Sequence, residues 1–202
     1  MKEFWNDRYS REEYSYGQLP NEFLKETLQK LKPGKILFPA EGEGRNAVFA
    51  ASLGWHADAF DFAEAGREKA MQLAARHNVT VHYTIDKFTT YHYPVDYYDA
   101  IGLVFVHPAP DMRIFFFQKL FAALKPGGVI IFEGFSKNNL ELKRQNPSVG
   151  GPDNIAMLYD VDEIKNFFPD FQSLILEEKM TELNEGEFHK GLASVVRFFG
   201  KK

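Results

Sequence analysis

The chain contains no cysteine. That excludes a disulfide framework and any thiolate metal site, and it fits a reducing compartment, so a cytoplasmic location is expected. Excess charge is missing too. There are 24 Lys and Arg against 28 Asp and Glu, for a net charge of −4 and an isoelectric point near 5.9. Mild acidity without a basic run offers no electrostatic footprint for nucleic acid. No apolar run approaches the roughly 20 residues of a membrane span, and the opening Met1-Lys2-Glu3-Phe4-Trp5 has no apolar signal core. No membrane partner is expected. Of the histidines, His56, His77, His82 and His92 are scattered without ligand spacing, so no metal is expected either.

What is present is apolar mass and rings. The chain is 202 residues long and 45% hydrophobic, enough for one sizeable core, and a single domain over residues 1–202 is expected. Twenty Phe and nine Tyr fill that core and leave rings for a ligand pocket. Residues 1–18 form an aromatic segment. Asn21 to Leu31 has a helical apolar face (Phe23, Leu24, Leu28, Leu31) and stops at Pro33-Gly34. Lys35 to Pro39 is a short apolar strand, Asn46 to Leu53 a helix, His56 to Phe62 a strand and Glu64 to His77 a helix. Val79 to Ile85 and Tyr98 to Val106 are strands three and four. Asp111 to Leu124 is a helix closed by Lys125-Pro126-Gly127-Gly128, and Val129 to Phe135 is strand five. The alternation predicts an α/β fold with a mostly parallel sheet covered on both faces. Val161 to Phe168 is a short helix. Phe171 to Glu182 and Phe188 to Phe199 flank the turn-rich Asn184-Glu185-Gly186-Glu187 and read as an antiparallel hairpin. Residues 136–156 are rich in Asn, Gly and Pro and read as a loop over a site.

Chemistry first shows at the first strand's end. Gly42 and Gly44 follow it directly and precede a helix, an arrangement that lets a ligand approach the backbone. The helix start at Arg45-Asn46 offers N–H groups suited to a carboxylate or phosphate. Asp61 ends the second strand at the spacing of a carboxylate that holds ribose hydroxyls, and Asp86 follows the third, where an acid can bind an exocyclic amine. This pattern supports a nucleoside ligand without choosing between S-adenosylmethionine (SAM) and NAD(P).

Resemblance separates the two. Glu41-Gly42-Glu43-Gly44-Arg45-Asn46-Ala47-Val48 resembles motif I of class I methyltransferases, and more narrowly the tellurite-resistance and thiopurine-type branch. Tyr98-Asp99-Ala100-Ile101, His107-Pro108-Ala109-Pro110-Asp111-Met112-Arg113, Leu124-Lys125-Pro126-Gly127-Gly128, Glu133-Gly134-Phe135-Ser136 and Gly150-Gly151-Pro152 are similar to further stretches of that branch, in the same order. The resemblance implies a Rossmann-like, doubly wound, seven-stranded sheet with an antiparallel C-terminal strand, and a SAM-dependent methyltransferase acting on a small acceptor. It implies that Glu41, Gly42 and Gly44 meet the methionine part, with Glu41 ordering the turn. Asp61 would hold the ribose, Phe62, Asp86 and Lys87 would surround the adenine, and Val104, Phe105 and His107 would line the mouth beyond strand four. Arg45 either helps with the carboxylate or packs on the turn. Trp5, Tyr9 and Tyr14, with Phe4 and Tyr16, resemble an aromatic lid and are candidate acceptor contacts.

A soft acceptor such as a thiolate or a selenium or tellurium species needs no enzyme base, whereas an oxygen or nitrogen acceptor usually does, and histidine is the first candidate. His107 and His189 are the two candidates. Gly186-Glu187-Phe188-His189-Lys190 resembles a stretch of the tellurite-resistance enzymes that meets an oxyanion acceptor, though Gly191-Leu192-Ala193-Ser194 lacks their following polar insertion and second arginine. Arg113 either binds an anionic acceptor or is a surface charge at a local turn. No Asn/Asp-Pro-Pro-Tyr/Phe follows strand four, which argues against methylation of nucleic-acid amines. The alternatives are an NAD(P)-dependent oxidoreductase and a non-catalytic SAM-binding module; the chain is expected to be a monomer or homodimer.

Overall fold

The computed structural model describes residues 2–202. Seven strands form one sheet in the order β3-β2-β1-β4-β5-β7-β6. They are β1 (Lys35–Pro39), β2 (His56–Asp61), β3 (Val81–Ile85), β4 (Tyr98–Val104), β5 (Leu124–Phe135), β6 (Gln172–Asn184) and β7 (Lys190–Lys201). The helices are α1 (Lys2–Tyr9), α2 (Glu22–Leu28), α3 (Arg45–Ser52), α4 (Glu64–Arg76), α5 (Pro110–Ala123), α6 (Asn139–Gln145) and α7 (Val161–Phe167). This is the expected α/β sheet, mostly parallel with an antiparallel C-terminal strand: β1–β2, β2–β3 and β4–β5 are parallel, while β7 runs antiparallel to both β5 and β6. The chain groups into two compact units, residues up to 92 with 185–187, and residues 93–184 with 188–202.

In the first unit, Ile36, Leu37 and Phe38 of β1 are all buried, which is why the strand reads as an unbroken apolar run. Asn21 caps α2, its side chain accepting from Leu24 N. Gly44, at φ +88°, starts α3 so close to α4 that a Cβ there would lie 2.5 Å from Ala70 Cβ. In the second unit, Pro110 sits in the first turn of α5, where its missing N–H costs nothing. Asp160 caps α7 through Glu163 N. Buried Phe135, Val149, Leu158, Leu183, Ala193 and Val195 form a cluster, with Phe105 and Leu140 packed against it.

Two expectations change, and the aromatic opening segment, given no secondary structure in advance, is helical over residues 2–9. The Lys125–Gly128 stretch does not close α5 as a loop, because the backbone is already extended from Leu124 and β5 pairs Tyr98 with Leu124 before a register shift. The 136–156 loop holds α6 and one-turn helices at Pro147–Val149 and Ile155–Met157.

Candidate active site

The turn after β1 is built by carboxylates. Glu41 Oε1 accepts from Asn46 N (2.8 Å) and Ala47 N (2.7 Å) at the start of α3. The helix-start N–H groups expected to meet a ligand are therefore satisfied by the chain itself, and Glu41 orders the turn as anticipated. Burial lifts its pKa to about 7 against those two N–H donors and Arg45. Gly42 has φ +62°; its N–H reaches Asp61 Oδ2 (3.2 Å), and its carbonyl accepts from Tyr83 OH (2.7 Å). Asp61 Oδ1 accepts from Ala63 N (2.9 Å). The acid at the end of β2 is thus tied to the glycine bend. Burial raises its pKa to about 6, opposed by backbone N–H donors from Ala63, Gly42 and Phe62.

The N-terminal rings cover this bend. A Cβ on Gly42 would lie 2.6 Å from Tyr9 OH, so Tyr9 occupies the space that the missing side chain opens. Trp5 stacks on Tyr9 (5.4 Å between centroids), and Tyr16 meets it edge-on at 6.5 Å. Burial, then the charge of Asp61, holds the Tyr9 hydroxyl in its neutral form. Polar ties fix α1 on α4: Asn6 Oδ1 accepts from Ala65 N (3.2 Å), a cap that Ala63 cannot supply, and Lys2 pairs with Glu64 (2.8 Å). Tyr14 lies elsewhere. Its hydroxyl donates to Lys69 O (2.9 Å) and accepts from Arg76, pinning it to α4. Arg45 is buried rather than exposed, pairing with Glu185 (2.8 Å) and reaching Leu19 O (3.3 Å), so it packs the turn.

Beside β3 a pocket of about 220 Å³ is lined by Lys2, Phe62, Ile85, Asp86, Lys87 and Thr90. It gathers all three residues expected around an adenine and adds Lys2, Ile85 and Thr90. Asp86 Oδ1 also accepts from Lys87 N (2.8 Å) and from the Thr90 hydroxyl.

In the second unit His189 is buried and His107 half-buried. His107 Nδ1 donates to Met157 O (2.8 Å), and Nε2 accepts from Phe135 N (3.2 Å), so neither ring nitrogen is open. Burial pushes its pKa down to about 3, with the Met157 bond opposing and Arg113 and His189 reinforcing the shift. His189 stands edge-on to Phe105 (4.4 Å) and Phe135 (5.2 Å). Phe105 has φ +54°, and Val104 beside it is half-buried. Arg113 is no surface charge. It is 3% exposed, paired with Glu163, donates to Leu158 O and Pro108 O (3.3 Å each), and lies 4.3 Å over the Tyr159 ring. Lys190 is exposed.

Tyr83, Asn6, Glu185 and Tyr159 were not singled out by sequence. Each acts on a backbone group or side chain far away along the chain, and only the spacing of a fold could have marked them.

The profile of the family described as "Methyltransferase domain" matches residues 36–128, which span the glycine bend, Asp61, the β3 pocket and His107. That stretch is a little under half of the chain. No curated protein sequence matches it. Among solved structures it is similar to TehB from Haemophilus influenzae, at 15% identity and a TM-score of 0.71, covering 100% of this chain and 66% of that one, just under two thirds of TehB's length. It is also similar to a SAM-dependent methyltransferase from Methanosarcina mazei, at 15% identity and 0.68, covering 91% and 99%. A third is the 1,6-didemethyltoxoflavin-N1-methyltransferase of Burkholderia thailandensis, solved with 1,6-didemethyltoxoflavin and S-adenosylhomocysteine, at 16% identity and 0.62, covering 90% and 78%. These similarities favour the methyltransferase reading over the nicotinamide alternative.

Proposed function

We propose that this chain is a SAM-dependent methyltransferase that acts on a small soft nucleophile, a thiol first and a chalcogen oxyanion such as selenite or tellurite second. The observation that carries the reading is His107, whose two ring nitrogens are both engaged by backbone groups and whose pKa lies far below neutrality. A thiolate or chalcogen anion arrives already nucleophilic and needs no base, whereas a hydroxyl or ammonium acceptor would need a proton removed. The thiol takes precedence because Arg113, the cation expected to meet an oxyanion, is already neutralised by Glu163. His189 and Lys190 remain the candidates for acceptor contacts.

The residues of the first unit fit SAM. Asp61 would accept from the ribose hydroxyls, the Phe62, Asp86 and Lys87 pocket would take the adenine, and the Gly42–Gly44 bend would meet the methionine part. When bound, SAM supplies a sulfonium methyl group for in-line displacement. Tyr9 and Trp5 act as a lid: the β3 pocket at about 220 Å³ falls short of the ~300–1,000 Å³ of sites for drug-sized ligands. Tyr9 must therefore swing from Gly42 when the cofactor enters. S-adenosylhomocysteine release, measured against thiols, selenite, tellurite, a catechol and primary amines, tests the acceptor class. Turnover confined to thiols and chalcogen anions is expected; faster turnover of the catechol or an amine would reverse the reading, and SAM binding without turnover of any acceptor would favour a non-catalytic module.

A further inference from the structure

We infer that the free edge of β6 pairs with β6 of a second copy of this chain, antiparallel about a two-fold axis at Glu178. β6 ends the sheet order and has a neighbour only in β7 among the described residues. It is 13 residues long, against about 5–6 for a usual strand, and contains no proline. Its one register shift is confined to Ser173/Ile175, leaving a regular stretch from Ile175 to Asn184. Natural edge strands are ordinarily short, bulged or proline-bearing, because unpaired N–H and C=O groups template another strand. Along its regular stretch this edge is neither shortened nor bulged nor broken by proline; its one protective device is charge (Glu177, Glu178, Lys179, Glu182), and Ile175 and Met180 stand exposed at 37% and 50%.

Charge fixes the partner and the register. Two copies related by a two-fold axis perpendicular to the sheet keep their side-chain faces. The sum of opposed residue numbers must then be even, and one residue meets its own copy at the axis. Centred on Glu177, the strands oppose Glu177 to Glu177; centred on Lys179, they oppose Lys179 to Lys179. Centred on Met180, they oppose Glu178 to Glu182. Centred on Glu178, Glu177 faces Lys179 twice, Leu176 faces Met180 twice and Ile175 faces Thr181 twice. The one like pair left is Glu178 with itself, and that carboxylate is turned back onto its own chain. Its Oε1 accepts from Asn138 Nδ2 (2.8 Å) and Ser194 Oγ (2.9 Å). Partial burial works to raise its pKa, but hydrogen bonds from Ser136, Ser194 and Asn138 hold it below the usual value. The edge is thus self-complementary in one register, which a generic peptide strand would not match. The inference does not depend on the acceptor or the cofactor.

Sedimentation of the full-length protein with Glu177→Lys and Lys179→Glu, singly and mixed, tests it. Each single variant opposes like charges twice and should weaken self-association at least tenfold. In an equimolar mixture, the two lysines that Glu177→Lys carries at these positions face the two glutamates that Lys179→Glu carries, and the dimer should return. A wild-type monomer at tens of micromolar would overturn the inference, and so would single variants that dimerise like wild type or a mixture that stays monomeric. A second readout does not depend on those variants folding. Glu178→Cys introduces the chain's one thiol at the axis, where a short bifunctional maleimide should link two copies. No more linkage than Gln172→Cys gives, at an exposed position far from the axis, would count against it.

Discussion

At the scale of single residues, the site divides into groups that hold the chain and groups left to hold a ligand. His107 belongs to the first. Replacing it with alanine strands Met157 O and Phe135 N, and each unsatisfied buried group costs about 1–3 kcal/mol. His107→Ala should therefore lower stability by roughly 2–5 kcal/mol, while the pH dependence of turnover keeps its shape near neutrality. An apparent pKa of about 6–7 in kcat that vanishes with the substitution would make it a base after all. Its own linkage has a definite sign. A histidine with a folded pKa near 3 binds its proton only in the unfolded chain between about 3 and 6.5, so its contribution to stability is lost as pH falls through that window. Asp61, though tied to Gly42 N and Ala63 N, is on the proposed reading also a group that meets the ligand. Charge-assisted bonds of about 1.5–3 kcal/mol imply a loss of roughly 10–150-fold in S-adenosylhomocysteine affinity for Asp61→Asn, measured by calorimetry. An unchanged affinity would remove Asp61 from the cofactor site.

At the scale of elements, α1 and the glycine bend are one device. Gly42→Ala would drive a methyl into Tyr9 OH, which sits 2.6 Å away at the end of a side chain able to move. The expected result is displacement of Tyr9 and of Trp5 stacked on it. The chain has two tryptophans, and Trp55 is buried, so a rise in quenchable fluorescence reports Trp5. Combining the change with Tyr9→Ala should abolish the clash and leave only the cost of an alanine at φ +62°. Gly44→Ala differs in kind: its Cβ would meet Ala70 Cβ at 2.5 Å and Cα at 2.8 Å, where backbone cannot swing away. It should destabilise by a few kcal/mol, on the order of overpacking plus left-handed strain, and chemical denaturation would read it.

The same elements show what sequence could and could not reveal. β1 and β4 were legible because strands buried on both faces must be apolar throughout, and the hairpin because its turn residues interrupt two long runs. Asp61 was marked by its spacing to the glycines and Glu41 by the resemblance around them, and both stand at the bend. α1 was not, because its helix is held by Asn6 on Ala65 N and Lys2 on Glu64, partners some 60 residues away. The start of β5 was missed because Pro126-Gly127-Gly128 carries turn chemistry, yet the backbone there continues extended into the strand. For Arg45 and Arg113 the sequence left ligand contact open beside turn packing or surface charge; their pairing with Glu185 and Glu163 follows from the tertiary fold alone.

At the scale of the whole molecule, these charges set opposing responses to pH. Glu41 and Asp61, with folded pKa values of about 7 and 6 against 4.5 and 3.8 for the free groups, bind protons more readily in the folded chain. Their raised values make the fold gain stability as pH drops from about 7 toward 4, the reverse of His107. On the proposed reading, cofactor binding draws on the ionised Asp61, which accepts from the ribose hydroxyls. Acid therefore favours the lid-closed, ligand-free chain over the bound one. The thermal shift given by S-adenosylhomocysteine should be full at about pH 7.5, where a ligand at 100 times its Kd adds about 2.7 kcal/mol. It should shrink steadily below about pH 6, with affinity falling about tenfold per pH unit once Asp61 is mostly protonated. In Asp61→Asn the shift should be small and flat across the same range. A wild-type shift that stays constant from about pH 7.5 to 5 would mean that the acid at the end of β2 does not ionise to meet the ligand, and that the ribose is held by some other group.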